Sequence, residues 1–264
     1  MRKVRHTKLV LLVPAAFLAS ACSDSTGPGT NTPATLDVAS LVAQTSLGSL
    51  ENLGAALGGG IATIAPLPVA SGCTYSSASQ SFACPTRTSD GVTITVSYTL
   101  LDAGGHPQSA ADPAKIDAIR TITDISGTLQ LPAGVRGGPV TMTSHRDVTL
   151  SGLLAAHYLL NGTGTSSSSS TFGAAGSSET MSGQERESIV NVAVPPAGSA
   201  TPWPTSGTIF MDVTSTFAGL PPLTSHMTMT FAEGGVVTFV ITTDSITTTC
   251  HVNMNNPGGG PSCA

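Results

Sequence analysis

Three stretches near the C-terminal end decide the fold. Residues 208–217 read TIFMDVTSTF, residues 223–231 read LTSHMTMTF and residues 236–243 read VVTFVITT. In each stretch, apolar side chains alternate with threonine and other polar side chains, which is the period of a β-strand with one buried and one wet face. The pattern predicts three neighbouring antiparallel strands, the last two of which turn around Glu233-Gly234-Gly235.

Matching the apolar side chains gives a register for both hairpins. In the first, the predicted partners are Ile209 with Phe231, Met211 with Met229, Val213 with Met227, and Phe217 with Leu223. In the second, they are Phe231 with Val237, Met229 with Phe239, and Met227 with Ile241. Both hairpins then bury the same face. The opposite face is expected to meet solvent, and it carries Thr208, Asp212, Thr214, His226, Thr228 and Thr230.

The same alternation recurs upstream. It predicts a strand over residues 92–100. From Val140 to Leu160 most of the large apolar residues fall on alternate positions, which fits either one long strand or two strands joined at Ser151-Gly152. Asn161-Gly162 predicts a type I′ turn, after which the Ser-rich residues 163–172 would return as a strand at a sheet edge. Further strands are expected near residues 116–131 and 188–194.

An amphipathic helix is predicted over residues 36–57. Thr35 caps it, Asp37 lies in its first turn, and Gly58-Gly59-Gly60 ends it. Its apolar stripe consists of Ala39, Ala43, Leu47, Leu50 and Leu57. The predicted fold is therefore mainly β: one domain over residues 36–264, with a large curved antiparallel meander sheet, half-barrel or barrel-like, covered by this helix.

The chain begins with the features of an export signal over residues 1–21. Four basic side chains, Arg2, Lys3, Arg5 and Lys8, precede an apolar run from Leu9 to Leu18. The sequence Ala19-Ser20-Ala21-Cys22 then resembles the lipobox of bacterial lipoproteins, in which a peptidase cuts before an acylated cysteine. The resemblance implies that Cys22 carries acyl chains such as palmitate and attaches the protein to a membrane. Under the enterobacterial sorting pattern, Ser23 after the cysteine implies the outer membrane.

A second interpretation of the same site is ordinary secretion, because Ala19-Ser20-Ala21 also fits a signal-peptidase site. It predicts a soluble secreted or periplasmic protein. Cysteine parity favours lipidation, since the remaining four cysteines form an even set for disulfides. Three connectivities are open, and the short spacings favour pairing Cys73 with Cys84 and Cys250 with Cys263.

Residues 22–35 are small, polar and rich in Gly and Pro, which is typical of a flexible tether. Without the signal, which holds four of the ten Lys and Arg, the net charge is six minus fifteen, or −9. This charge disfavours nucleic acid as a partner. The only membrane contact expected is the acyl anchor at Cys22.

Catalytic motifs are missing from the sequence, and no cofactor or metal site is predicted. The best catalytic candidates are weak: His145 with Asp147 on one strand face, and the loop residues Asp102, His106, Asp112 and Asp117. We therefore expect a non-catalytic structural or interaction module of the cell envelope, with an unknown partner. The alternative is a carrier of hydrophobic ligands, with an apolar groove formed by Met211, Met227, Met229, Phe231 and Phe239.

Overall fold

The structure, a computed structural model, describes residues 72–130, 138–155, 157–172, 179–195, 199, 203–256 and 262–264. The predicted signal (1–21), tether (22–35) and helix (36–57) lie outside the described residues. Within them the chain is almost entirely β, as the sequence predicts.

The described residues form fourteen strands, all of which belong to one antiparallel sheet. They are β1 (Thr74–Ser76), β2 (Ser81–Ala83), β3 (Arg87–Ser89), β4 (Val92–Leu101), β5 (Pro107–Gln108), β6 (Ala118–Leu129), β7 (Val140–Ser151), β8 (Tyr158–Phe172), β9 (Glu179–Val194), β10 (Ser206–Phe217), β11 (Leu223–Ala232), β12 (Val236–Thr243), β13 (Ile246–Asn253) and β14 (Ser262–Cys263). From β6 to β14 each strand pairs with the next one in sequence, which is a meander. The sheet is open: its strand order ends at β1 on one side and at β14 on the other.

Alternation along the strands gives the sheet two chemically different faces. The apolar face carries the inward side chains of β10 to β13, including Met211, Met229, Phe239 and Val252. The polar face carries the residues between them, mostly threonine and serine. Two clusters of buried side chains lie on the apolar side. The larger extends from Leu150 on β7 to Met254 after β13, and the smaller contains Phe82, Leu100, Ile116 and Ile119.

The register predicted for the second hairpin is confirmed. Met229 lies opposite Phe239, and Phe231 lies opposite Val237. Gly234 and Gly235 both have positive φ, 81° and 73°, so this tight turn requires glycine and fixes the alignment.

The register predicted for the first hairpin is wrong by two residues. Ile209 lies opposite Met229 instead of Phe231, and Met211 lies opposite Met227 instead of Met229. A shift of two preserves the face of every side chain, so apolar matching alone cannot detect it. The loop between the last paired residues, Ser215 and Leu223, is two residues longer than predicted, because Thr216 and Phe217 pair with β9 alone.

The turn predicted at Asn161-Gly162 is also wrong, because both residues lie inside β8. The chain reverses earlier, between Ser151 and Tyr158, as in the two-strand alternative. At Asn161 the pairing of β8 with β9 shifts by a bulge, and the Asn161 side chain accepts a hydrogen bond from the backbone N–H of Asn191 at 2.8 Å. A Cβ at residue 162 would lie 2.5 Å from the carbonyl oxygen of Asp147, so glycine here allows close backbone approach.

The Ser-rich strand is not at an edge. Strand β8 lies in the interior of the sheet, paired along its length with β7 on one side and β9 on the other. Its small side chains are held in register by two long partners, β7 with 12 residues and β9 with 16. The expectation failed because the turn that produced it does not exist.

The two disulfides follow the sequential pairing. Cys73 is bonded to Cys84 and Cys250 to Cys263. The first closes the hairpin of β1 and β2, and the second joins directly opposite residues of β13 and β14. The disulfides therefore lie at the two opposite margins of the sheet.

Candidate functional site: the polar face of the sheet

The polar face is organised in rows that run across the strands. One row, which we call the central row, crosses nine strands and consists of Thr95, Asp124, His145, Thr165, Arg186, Asp212, His226, Thr242 and Thr247. Each of these residues is the direct partner of its neighbours in the sheet register. The backbone ladder therefore fixes the spacing of the row, because neighbouring strands are about 4.8 Å apart.

Two Asp–His pairs belong to the central row. His145 Nδ1 lies 2.7 Å from Asp124 Oδ1, and His226 Nδ1 lies 2.6 Å from Asp212 Oδ1. All four side chains are more than half exposed. Water screens such pairs, so each contributes at most about 1 kcal/mol to folding. Arg186 lies between the pairs in the row and makes no ion pair with another described residue.

Two shallow grooves run alongside these side chains on the polar face. Groove 1 has a volume of about 460 Å³ and lies between the central row and a neighbouring second row. On the side of the central row it is bordered by Asp124, His145, Thr165 and Arg186. The second row borders it with Ser126, Thr143, Ser167 and Gln184. Groove 2, about 230 Å³, lies beyond the second row and is bounded by Thr141, Ser169 and Ser182. Every side chain that borders the grooves from the polar face can donate or accept hydrogen bonds.

Hydroxyl groups also bond to one another across the polar face. The hydroxyl oxygens of Thr143 and Ser167, which border both grooves, are 2.7 Å apart. Those of Thr128 and Thr141 are 3.1 Å apart. Thr242 and Thr247 form a similar pair at 3.0 Å. Such cross-strand pairs stabilise a sheet modestly and hold the hydroxyl groups in fixed positions.

A charged cluster lies on the opposite, apolar face and was missed in the sequence. Arg146 Nε donates a hydrogen bond to Glu187 Oε2 at 3.0 Å across Gly164, and Glu187 is only 8% exposed. Glu185 lies next to this pair, and burial, followed by the charge of Glu187, raises the pKa of its carboxyl. The hydroxyl of Ser166 donates to Glu185 over 3.4 Å. The sequence did carry a signal for this cluster. Glu185 and Glu187 alternate in step with the buried Ile189, which places all three side chains on the same face of the strand.

The structure gives the two predicted strand candidates different partners. His145 bonds to Asp124, whereas Asp147 accepts a hydrogen bond from Arg120 Nε at 2.8 Å. This hydrogen bond, more than the Arg120 charge itself, lowers the pKa of Asp147. His145 and Asp147 therefore take part in two separate side-chain pairs, each of which joins β6 to β7.

The loop candidates stabilise local turns. Asp102 accepts hydrogen bonds from the backbone N–H groups of Gly104 and His106, both at 2.9 Å, and the bond from His106 is the main cause of its lowered pKa. Asp112 pairs with Lys115, and Asp117 accepts from the N–H of Leu154. In the described segments no three His, Cys, Asp or Glu side chains are close enough together to hold a metal ion.

The residues of the predicted apolar groove lie in the larger core cluster. Met211, Met227, Met229, Phe231 and Phe239 are between 0% and 6% exposed. They pack against neighbours on the apolar face, and the two grooves described above lie on the other side of the sheet. Cys22, the predicted lipidation site, is outside the described residues.

Comparison with known proteins identifies no relative: no protein-family model matches the chain, and neither does any curated protein or solved structure. Within the described segments, no helix has the length and apolar character that crossing a membrane requires.

The partly buried Glu185 gives a pH-dependent prediction. Because its pKa is raised, the Glu185 carboxyl binds a proton more tightly in the native state than in the unfolded chain. The contribution of Glu185 to stability therefore falls as the pH rises from the ordinary glutamate pKa through the raised one. Glu185→Gln removes this loss and should stabilise the protein at pH 7, with the gain vanishing below about pH 4. Urea unfolding from pH 4 to pH 8 measures it.

The matched control is Glu187→Gln, two residues away on the same strand face. It breaks the hydrogen-bonded pair with Arg146 and should cost roughly 2 kcal/mol at pH 7. If both variants destabilise the protein equally at pH 7, the carboxyl of Glu185 is not disfavoured by burial.

Proposed function

We propose that this protein is an exported, lipid-anchored lipoprotein of the cell envelope that acts as a non-catalytic interaction module. The observation that carries the proposal is the polar face. It presents hydroxyl, amide and charged side chains in register across nine strands, with two grooves on its surface. A broad surface of fixed hydrogen-bonding groups suits adhesion to a partner over a wide area.

Export is supported by the signal features of residues 1–21 and by the two disulfides, which persist in oxidising compartments. Cys22 provides the acyl anchor, in the outer membrane according to the residue that follows it, and residues 22–35 form the tether. The mature chain, at −9, is repelled by anionic membrane surfaces, so the lipid supplies the attachment.

The helix predicted over residues 36–57 covers the apolar face in this proposal, and the sheet curves around it. The support is the burial of that face. Phe239 and Val192 are 0% exposed although all described strands form a single sheet, and one sheet buries a face so fully by curling on itself or by packing against a further element. An amphipathic segment of about six turns in the same chain provides such an element.

The alternative, a carrier of a hydrophobic ligand, requires space against the methionine side chains of β10 and β11. Their burial in the core cluster favours the interaction module. A carrier would have to open this core when it binds its ligand.

The anchor is tested with Cys22→Ser. The unchanged protein should sediment with membranes and release in detergent, and the variant should remain in the soluble exported fraction because it lacks the acyl chains. Mass spectrometry of the mature N-terminus provides the control. An unmodified Cys22, or a Cys22→Ser variant that still floats with membranes, would contradict the anchor.

The interaction surface is tested with Ser167→Trp, which places an indole where both grooves meet. In the soluble Cys22→Ser background, the protein should bind isolated envelope fragments, and Ser167→Trp should weaken this binding about tenfold, as loss of a central contact does. Thr230→Trp, exposed on the same face but outside both grooves, is the matched control and should bind normally. Equal binding by all three proteins would show that the grooves play no part.

A further inference from the structure

The two margins of the sheet are covered in different ways. On one side, the outer edge of β4 is covered by three separate short strands. Strand β3 pairs with residues 92–94, β2 with residues 97–98 and β5 with residues 100–101. The backbone N–H of Cys84 adds a hydrogen bond to the carbonyl of Val96 at 3.0 Å. Loss of any one cover leaves the others in place.

On the other side, β14 is the one element among the described residues that covers β13. The two residues of β14 pair with Cys250 and His251, and Ala264 exchanges two backbone hydrogen bonds with Thr249. A strand of this length makes too few hydrogen bonds to order itself, because fixing each residue costs conformational entropy. The Cys250–Cys263 disulfide closes the loop between the two strands and offsets this cost by restricting the unfolded chain.

Strand β13 carries no protection of its own. Its sequence, ITTTCHVN, contains no Lys, Arg, Asp, Glu or Pro, and five of its eight residues are β-branched. Edge strands usually avoid pairing with other chains through charge, proline or a bulge. An uncharged β-branched edge without these features is a template for another strand.

We infer that the Cys250–Cys263 disulfide holds β14 as the cover of an adhesive sheet edge, and that the partner of the uncovered edge is the β13 edge of a second copy. At the β4 margin the outermost strands are β1, β3 and β5, which have only 3, 3 and 2 residues, and such short edges disfavour head-to-tail growth between unlike edges. Two β13 edges can pair antiparallel about a two-fold axis, which uses the same surface on both copies. The disulfide therefore keeps the chains from joining their sheets.

The test compares the two disulfides in the full-length exported protein. Cys250→Val with Cys263→Ala fills the core position of Cys250 with an apolar side chain and frees β14. Its light-scattering mass should be at least about twice that of the unchanged protein at the same concentration. Cys73→Ala with Cys84→Ala is the matched control and should keep the unchanged mass, because β3 and β5 still cover β4.

A second variant separates edge pairing from unfolding. Thr247→Lys places a charge on the exposed side of β13 and, added to the Cys250→Val, Cys263→Ala protein, should restore the original mass. The inference is overturned if freeing β14 leaves the mass unchanged, or if both disulfide pairs have the same effect. It is equally overturned if the lysine fails to restore the mass.

Discussion

The burial of one face of a hydrogen-bonded sheet is the constraint on which the rest of this structure depends. Met229 illustrates it: its backbone is paired with Ile209 on one side and Phe239 on the other, and all three side chains point to the same buried side. Because successive side chains alternate, this also sends Thr228 and Thr230 to the polar face. One set of apolar contacts therefore fixes the orientation of every hydroxyl group on the opposite side.

The apolar face is not uniform along the strands. On β9, Ile189 and Val192 are buried in the core, whereas Glu187 and Glu185 occupy the next inward positions of the same strand. Glycine at position 164 leaves room for Arg146 to reach Glu187 across β8. The sheet thus changes from an apolar core at one end to a charged, small-residue region at the other. Its polar face carries mostly hydrogen-bonding side chains from β4 to β13, interrupted by the partly exposed Val190, Phe210 and Val240, and it holds both grooves, which is why we assign the interaction surface there.

Sequence patterns predicted the faces well and the connections less well. The turn at Gly234-Gly235 could be located because only glycine adopts its backbone angles readily, and its register followed. The loop between β10 and β11 has no such marker, and a shift of two residues leaves every face unchanged. Asn161-Gly162 misled because both residues serve the interior of the sheet: the Asn161 side chain binds the bulge of β9 at Asn191, and Gly162 allows close approach of the β7 backbone. The grooves could not be predicted, since they depend on which strands become neighbours.

The assignment of faces is tested most directly by thiol labelling along β11. A cysteine is introduced at each of positions 225 to 230 in turn in the Cys22→Ser protein, and its rate of reaction with a maleimide is measured without denaturant. We expect rapid labelling at positions 226, 228 and 230. Labelling at 225, 227 and 229 should be at least about 100-fold slower, because those side chains must wait for local opening of the core. Equal rates at all six positions, or protection of the even-numbered set, would contradict the two-faced sheet on which this account rests.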